Sequence, residues 1–249
     1  MDNFWLMIFV ILLGSTISLV GGAAIFLSKK RRTRAINLAL PFGAGALLAA
    51  AFFDLLPESF ELGESRTLLL WALVGFTAFF VLERTAEWFH THHEHGGKAQ
   101  AERQNVMVMI GDLLHNAIDG IAIGAAFLAN PTTGVITTLA VSAHEVPKEL
   151  GTFGILLSRG WRDRKVLGAN ILTAVGTIIA ASLVYFVGSS VHFPVGELLA
   201  ITSGFFIYIA ASDIIPDIHE QPRKLGTIQA VVLVVAIVAV GGIIKLLGV

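Results

Sequence analysis

Long apolar runs, each near the length of about 20 residues that crosses a hydrocarbon layer, alternate along the chain with short polar breaks. The runs predict helices near 5–27, 36–57, 67–89, 105–129, 133–158, 166–188, 194–217 and 226–247. Each is bounded by proline, glycine or clustered charge, the residues that stop helices. The second, fourth, fifth and seventh carry acidic residues and are read as spans all the same. The pattern predicts an all-α, polytopic membrane bundle of eight transmembrane helices, forming a single domain over 1–249. The first run, WLMIFVILLGSTISLVGGAAIFL, is longer than the apolar part of a signal peptide and has no basic segment before it. It therefore reads as a first span and not as a cleaved leader.

Composition agrees with this picture. Only 14% of the 249 residues are charged, against about a quarter in a soluble domain. The absence of cysteine removes disulfides and thiolate metal sites from consideration. A net charge of −1 offers nothing to nucleic acid.

The placement of Lys and Arg sets a direction. Lys29, Lys30, Arg31, Arg32 and Arg34 follow the first span, and Arg159, Arg162, Arg164 and Lys165 follow the fifth. Lys98 and Arg103 follow the third, and Arg223 and Lys224 the seventh. The opposite loops and ends hold only Arg66 and Lys245. These four basic loops are expected in the cytoplasm and both termini outside, in a cell (inner) membrane.

The chain also resembles itself. Span 2 ends in FFDLLPE, with Asp54, Pro57 and Glu58, and span 7 in ASDIIPD, with Asp213, Pro216 and Asp217. The two spans run in opposite directions, so similar motifs sit at opposite faces. An inverted repeat of spans 1–3 and 6–8 around spans 4 and 5, a 3+2+3 arrangement, produces this, and such repeats build many transporters.

Charged groups at membrane depth are costly and mark cavities or each other. HNAIDG, residues 115–120, and HEVPKE, residues 144–149, lie inside the fourth and fifth spans. His115 and Asp119 are four apart and share a helix face, as do His144 and Lys148. Asn116 adjoins His115, Asp112 lies one turn toward the cytoplasm, and Glu145 and Glu149 flank the second motif. On antiparallel neighbouring spans, His115, Asn116, Asp119, His144 and Glu145 would supply two imidazoles, two carboxylates and an amide oxygen. That set suits zinc or a similar first-row divalent cation. Pro147 frees the carbonyl of Ala143 and is expected to bend the fifth span beside His144. Interhelical hydrogen bonding alone explains one intramembrane His better than it explains two His with two carboxylates.

HNAIDGIAIGAAF and HEVPKELG resemble the signature helices of the ZIP (Zrt/Irt-like) divalent-metal transporters, and the likeness extends over the whole chain. It implies a metal site between spans 4 and 5, uptake toward the cytoplasm and a homodimer in the bilayer. It also implies that the metal, zinc first but also iron, manganese or cadmium, is transported substrate and that no cofactor is needed. Many members read HEVPHE, so Lys148 departs from the pattern at a position that helps bridge a second metal in two-metal members. An ammonium there, paired with Glu145, Glu149 or Asp119, would replace that second cation electrostatically. One metal at the centre is therefore expected. Many relatives carry His where this chain has Asp54, so Asp54 and Glu58 would form a harder outer mouth. Asp112, Asp213, Asp217 and His219 would line an inner route. His90, His92, His93 and His95, in a polar loop over 90–104, are suited to weak metal sensing or buffering, or form a disordered linker.

Two rivals follow from the same residues. HEVPK begins like the HExxH of zinc proteases, but the second ligand position is Lys148, and no protease pattern pairs with an HNxxDG helix. A metal-binding receptor without flux shares the ligand set. There is no GxxxxGK[ST] phosphate loop, so the work of transport would come from ion gradients or from the metal's own gradient.

Overall fold

The computed structural model describes residues 2–22, 29–91, 98–158, 160–190 and 193–247. Among these residues the regular structure is helical, without strands. The order is α1 (Asp2–Gly22), α2 (Lys29–Ala50), a π-helical turn (Ala51–Leu55), α3 (Leu56–Leu62), α4 (Ser65–Thr91), α5 (Lys98–Ala129) and α6 (Pro131–Ser158). Then follow α7 (Asp163–Ser190), α8 (Val195–Tyr208), a second π-helical turn (Ile209–Ile214), α9 (Ile215–Glu220) and α10 (Arg223–Leu247).

Among the described residues, six stretches are long and apolar enough to cross a membrane: Ile36–Leu62, Ser65–Thr85, Val108–Ala129, Asp163–Ser190, Val195–Glu220 and Arg223–Leu247. In α1 the apolar stretch is shorter, Asn3–Leu19, and α6 carries the charged HEVPKE motif. Trp5, Phe9, Leu73, Leu183, Val234 and Val238 stand on the outer surface more than half exposed. Hydrocarbon tails, unlike water, cover such a belt without cost. The protein is an integral membrane protein.

Both Asp-x-x-Pro motifs were expected to end their helices, and neither does. The rod continues past Pro57 to Leu62 and past Pro216 to Glu220. The reason is the π turn placed just before each proline. Leu56 donates its N–H to the Ala51 carbonyl, and Ile215 to that of Ala210, five residues back. This wider turn offers a place for a ring that would clash in an unbroken α-helix.

Pro41, inside α2, leaves the Asn37 carbonyl without its helical donor. Gln229 of α10 supplies one across the interface, its Nε2 lying 3.2 Å from the Asn37 oxygen. A proline that costs one helix a bond thus ties it to another.

The bundle is built from four intimate pairs: α5 with α7, α4 with α8, α2 with α10, and α1 with α6. Short caps fix their ends. Asn130 accepts from the Thr132 N–H at 2.8 Å, with Pro131 opening α6. Glu64 accepts from the Thr67 N–H at 2.9 Å and starts α4. On the basic-loop face, Trp161 donates through Nε1 to Glu102 at 2.6 Å, and Lys165 pairs with the same carboxylate. These two partners hold the Glu102 carboxyl below its ordinary pKa.

Candidate metal centre

The α5 and α6 faces meet as their spacing requires. His115 and Asp119 point from one side, one turn apart, and His144 with Glu145 from the other. Ligand atoms from these four residues all lie within 4.8 Å of one another. His115 Nε2 is 3.2 Å from His144 Nε2, and Asp119 Oδ2 is 3.5 Å from the first and 3.8 Å from the second. Metal bonds of about 2.0–2.1 Å place tetrahedral ligands about 3.3–3.5 Å apart. The three measured edges match that spacing with little adjustment. Asp119, His144 and Glu145 are buried and His115 nearly so, which places the set away from bulk water.

The remaining motif residues fall into other roles. Asn116 is buried beside the cluster, but it is drawn toward α7: its amide oxygen accepts from the Thr177 hydroxyl at 3.0 Å, and its Nδ2 donates to the Asp112 carbonyl. One oxygen lone pair is left. Lys148 Nζ lies 2.9 Å from Glu145 Oε1, as expected, and 2.9 Å from Asp112 Oδ1. On α5 the ammonium's partner is therefore Asp112, where Asp119 was expected. Glu149 is buried one position beyond.

The helix runs unbroken through Pro147. The Ala143 carbonyl that this proline frees abuts Gly43 of α2, where a Cβ would stand 3.0 Å from that oxygen and 2.9 Å from the His144 Cα. Only glycine lets α2 approach the back of the centre so closely.

Asp54 lies apart from the cluster. It is fully buried in the first π turn, and its Oδ1 accepts from Thr133 Oγ1 at 3.1 Å. Thr133 is eleven residues from His144 on α6, about 16 Å along the axis. Glu58 is half-buried one turn farther. At the other end of the bundle Asp217 and His219 are exposed. The side chains of Asp213 and His90, and all of His92, His93 and His95, lie outside the described residues.

Sequence reasoning passed over several groups. A cavity of about 710 Å³ opens near Asp217, bordered by Phe80, Glu83, Tyr208 and Ser212. Tyr208 donates to Glu83 at 2.6 Å. Its ring packs 5.5 Å from Phe79, whose own ring meets His115 edge-on at 5.7 Å. An aromatic layer thus separates this cavity from the cluster. Glu83, an acid inside an apolar run, was the available signal. Thr177 gave none, because a hydroxyl in a membrane helix ordinarily bonds its own backbone.

The model of the ZIP zinc transporter family matches residues 3–106 and 90–246. The chain belongs to the ZIP family. Zinc transporter ZIP13 of Mus musculus is 30% identical over 237 residues, covering 78% of this chain and 65% of that protein. Zinc transporter YKE4 of Saccharomyces cerevisiae is 29% identical over 216 residues, 76% of this chain and 62% of its own. Zinc transporter ZIP10 of Homo sapiens is 38% identical over 141 residues, 53% of this chain but 17% of that protein. This ZIP chain spans under two thirds of the length of these relatives. Its two signature motifs lie within the matched span.

Proposed function

We propose that this chain imports divalent transition-metal ions, zinc foremost, through the centre between α5 and α6. The observation that carries the reading is the buried convergence of His115, Asp119, His144 and Glu145 within 4.8 Å, in a membrane protein of the ZIP family. Imidazole and carboxylate together suit zinc, and also admit iron, manganese and cadmium. The metal is cargo, so its ligands bind it strongly enough to strip water and weakly enough to release it. One ion occupies the centre, because the Lys148 ammonium pairs with both Glu145 and Asp112 and stands where a second cation would bind.

Eight spans in a 3+2+3 inverted repeat give the frame. Support comes from the pairing of helices: α4 with α8 and α10 with α2 are images of one another when the first three spans are exchanged with the last three. So are α1 with α6 and α7 with α5. Gly45 precedes Asp54 by nine residues, and Gly204 precedes Asp213 by nine. Each sits against a carbonyl of its paired helix, Leu233 or Ala72. Rocking of the two repeats would expose the centre to each side in turn, with termini outside, Asp54 and Glu58 at the outer mouth, and a homodimer in the bilayer. The histidine-bearing loop serves metal buffering, and its deletion leaves uptake in place.

The metalloprotease reading is disfavoured by Lys148, which occupies the second ligand position of HExxH and is paired with Asp112. Uptake of radioactive zinc into proteoliposomes, with iron and manganese as competitors, tests the proposal. Flux that His144→Ala abolishes is the expected result. Metal binding without flux makes the chain a receptor, and peptide cleavage without flux a protease.

A further inference from the structure

On the basic-loop side of the centre, α5 and α7 run parallel and share a polar seam. Asn105, Asp112 and Asn116 fall within a narrow arc of α5, spaced seven and four residues apart. Asn170 and Thr177 are seven apart on α7 and lie on one line of that helix. The seams face one another, because Thr177 donates to Asn116 and Gly120 and Gly124 of α5 pack on the carbonyls of Thr177 and Ala181. All five residues are buried.

The lower part of the seam is unsatisfied. Neither the nitrogen nor the oxygen of the Asn105 amide, nor of the Asn170 amide, has a hydrogen-bond partner among the described residues, and Asp112 Oδ2 has none. Buried amides are seldom left so, and a primary amide offers two donors and an acceptor. Five orphaned atoms along one seam point to a guest that is polar and exchanges. At the upper end a cavity of about 20 Å³, lined by Ser18, Ser142, Glu145 and Thr177 among others, adjoins the centre. That is room for about one water molecule. Asn170 lies about 10 Å along the axis from Thr177, and Asn105 about 16 Å from Asn116. Asn105 is one turn from Glu102, which pairs with Trp161 and Lys165 at the exposed end of the two helices.

We propose that this seam is a hydrated release lane, in which Asn105 and Asn170 pass the divalent cation from the centre to the basic-loop face. The inference rests on the transport reading given above. Chemistry favours amides here. Their neutral oxygens replace part of a cation's water shell without holding it as carboxylates do, and conduction needs sites that are easily left. Lys148 already pairs with Asp112 on its other oxygen, which weakens that carboxylate's hold on a passing ion.

The chain has no cysteine, so single thiols report without background. Asn105→Cys and Asn170→Cys would be treated in permeabilised proteoliposomes with a cationic methanethiosulfonate, beside the lipid-facing control Leu172→Cys. Because only the hydrated thiolate reacts, both seam positions are expected to react at least about tenfold faster than the control, and zinc should slow them. The double variant Asn105→Leu/Asn170→Leu is expected to lower maximal zinc uptake about tenfold while still binding one zinc. Seam thiols no faster than the control overturn the lane, as does wild-type uptake by the double variant. Failure of the transport reading looks different: wild-type protein then moves no zinc, while the thiols still report whether the seam is wet.

Discussion

Lys148 and Asp112 join the two helices that hold the centre, with Nζ and Oδ1 2.9 Å apart. The same ammonium reaches Glu145 at 2.9 Å, so one positive charge serves an acid on each helix. The first prediction follows from removing it. Lys148→Met leaves two acids uncompensated, and with the lysine about a quarter exposed the loss is set at about 2 kcal/mol, below that of a fully buried pair. Added zinc should restore more thermal stability to the variant than to the wild type. Lys148→His supplies a ligand where the ammonium stood. Calorimetry should count two zinc ions in that variant and one in the wild type, and two in the wild type would refute the argument.

Thr177 acts on the centre through Asn116, whose amide oxygen accepts its hydroxyl at 3.0 Å. Groups that orient ligands or their neighbours typically contribute about 10–100-fold in metal affinity. Thr177→Val should weaken zinc binding by about tenfold, toward the lower end of that range because Asn116 is itself at the margin of the cluster. Thr177→Ser keeps the donor and should bind as the wild type does. Equal losses in both variants would show that shape, not the hydrogen bond, matters there.

How much of this was legible beforehand depends on the range of the interaction. Lipid forces long apolar runs, so the helices could be read from composition and length. The spacing of His115 with Asp119 is a property of one helix, and so was also readable. The pairing of Lys148 with Asp112 depends on the register of α6 against α5, which local periodicity does not contain. The same holds for Thr133 with Asp54 and for Tyr208 with Glu83. The π turns were missed for a different reason: Asp-x-x-Pro looks alike whether a helix stops or widens to pass the proline.

Gly204 and Gly45 offer a test of the internal symmetry. A Cβ at Gly204 would collide with the Ala72 carbonyl and stand 2.6 Å from the Phe76 nitrogen. One at Gly45 would stand 2.5 Å from the Leu233 oxygen and 2.7 Å from the Ala236 Cβ. Because backbone must move in both cases, Gly204→Val and Gly45→Val should each cost about 1–3 kcal/mol. A Cβ at Gly242 of α10 has no contact within 4 Å, so Gly242→Val should leave the melting temperature in place. A large loss at only one of the paired sites would argue that the resemblance of the two halves does not extend to their packing.

Pro41 and Gln229 make the last prediction, a coupling between helices that never touch the metal. The proline removes the donor that Asn37 would have had within α2, and Gln229 replaces it at 3.2 Å from across the interface. Hydrogen bonds between membrane helices average about 0.6 kcal/mol and reach about 1.7. Gln229→Leu should therefore lower stability by about 1 kcal/mol, since it leaves a part-buried carbonyl unpaired. Pro41→Ala returns a backbone N–H to that carbonyl, so in its background the Gln229→Leu loss should shrink toward zero. Urea or thermal unfolding of the four proteins of this double-mutant cycle gives the coupling directly. If the two changes add without interaction, the Asn37 carbonyl is satisfied elsewhere and the glutamine contributes only its packing.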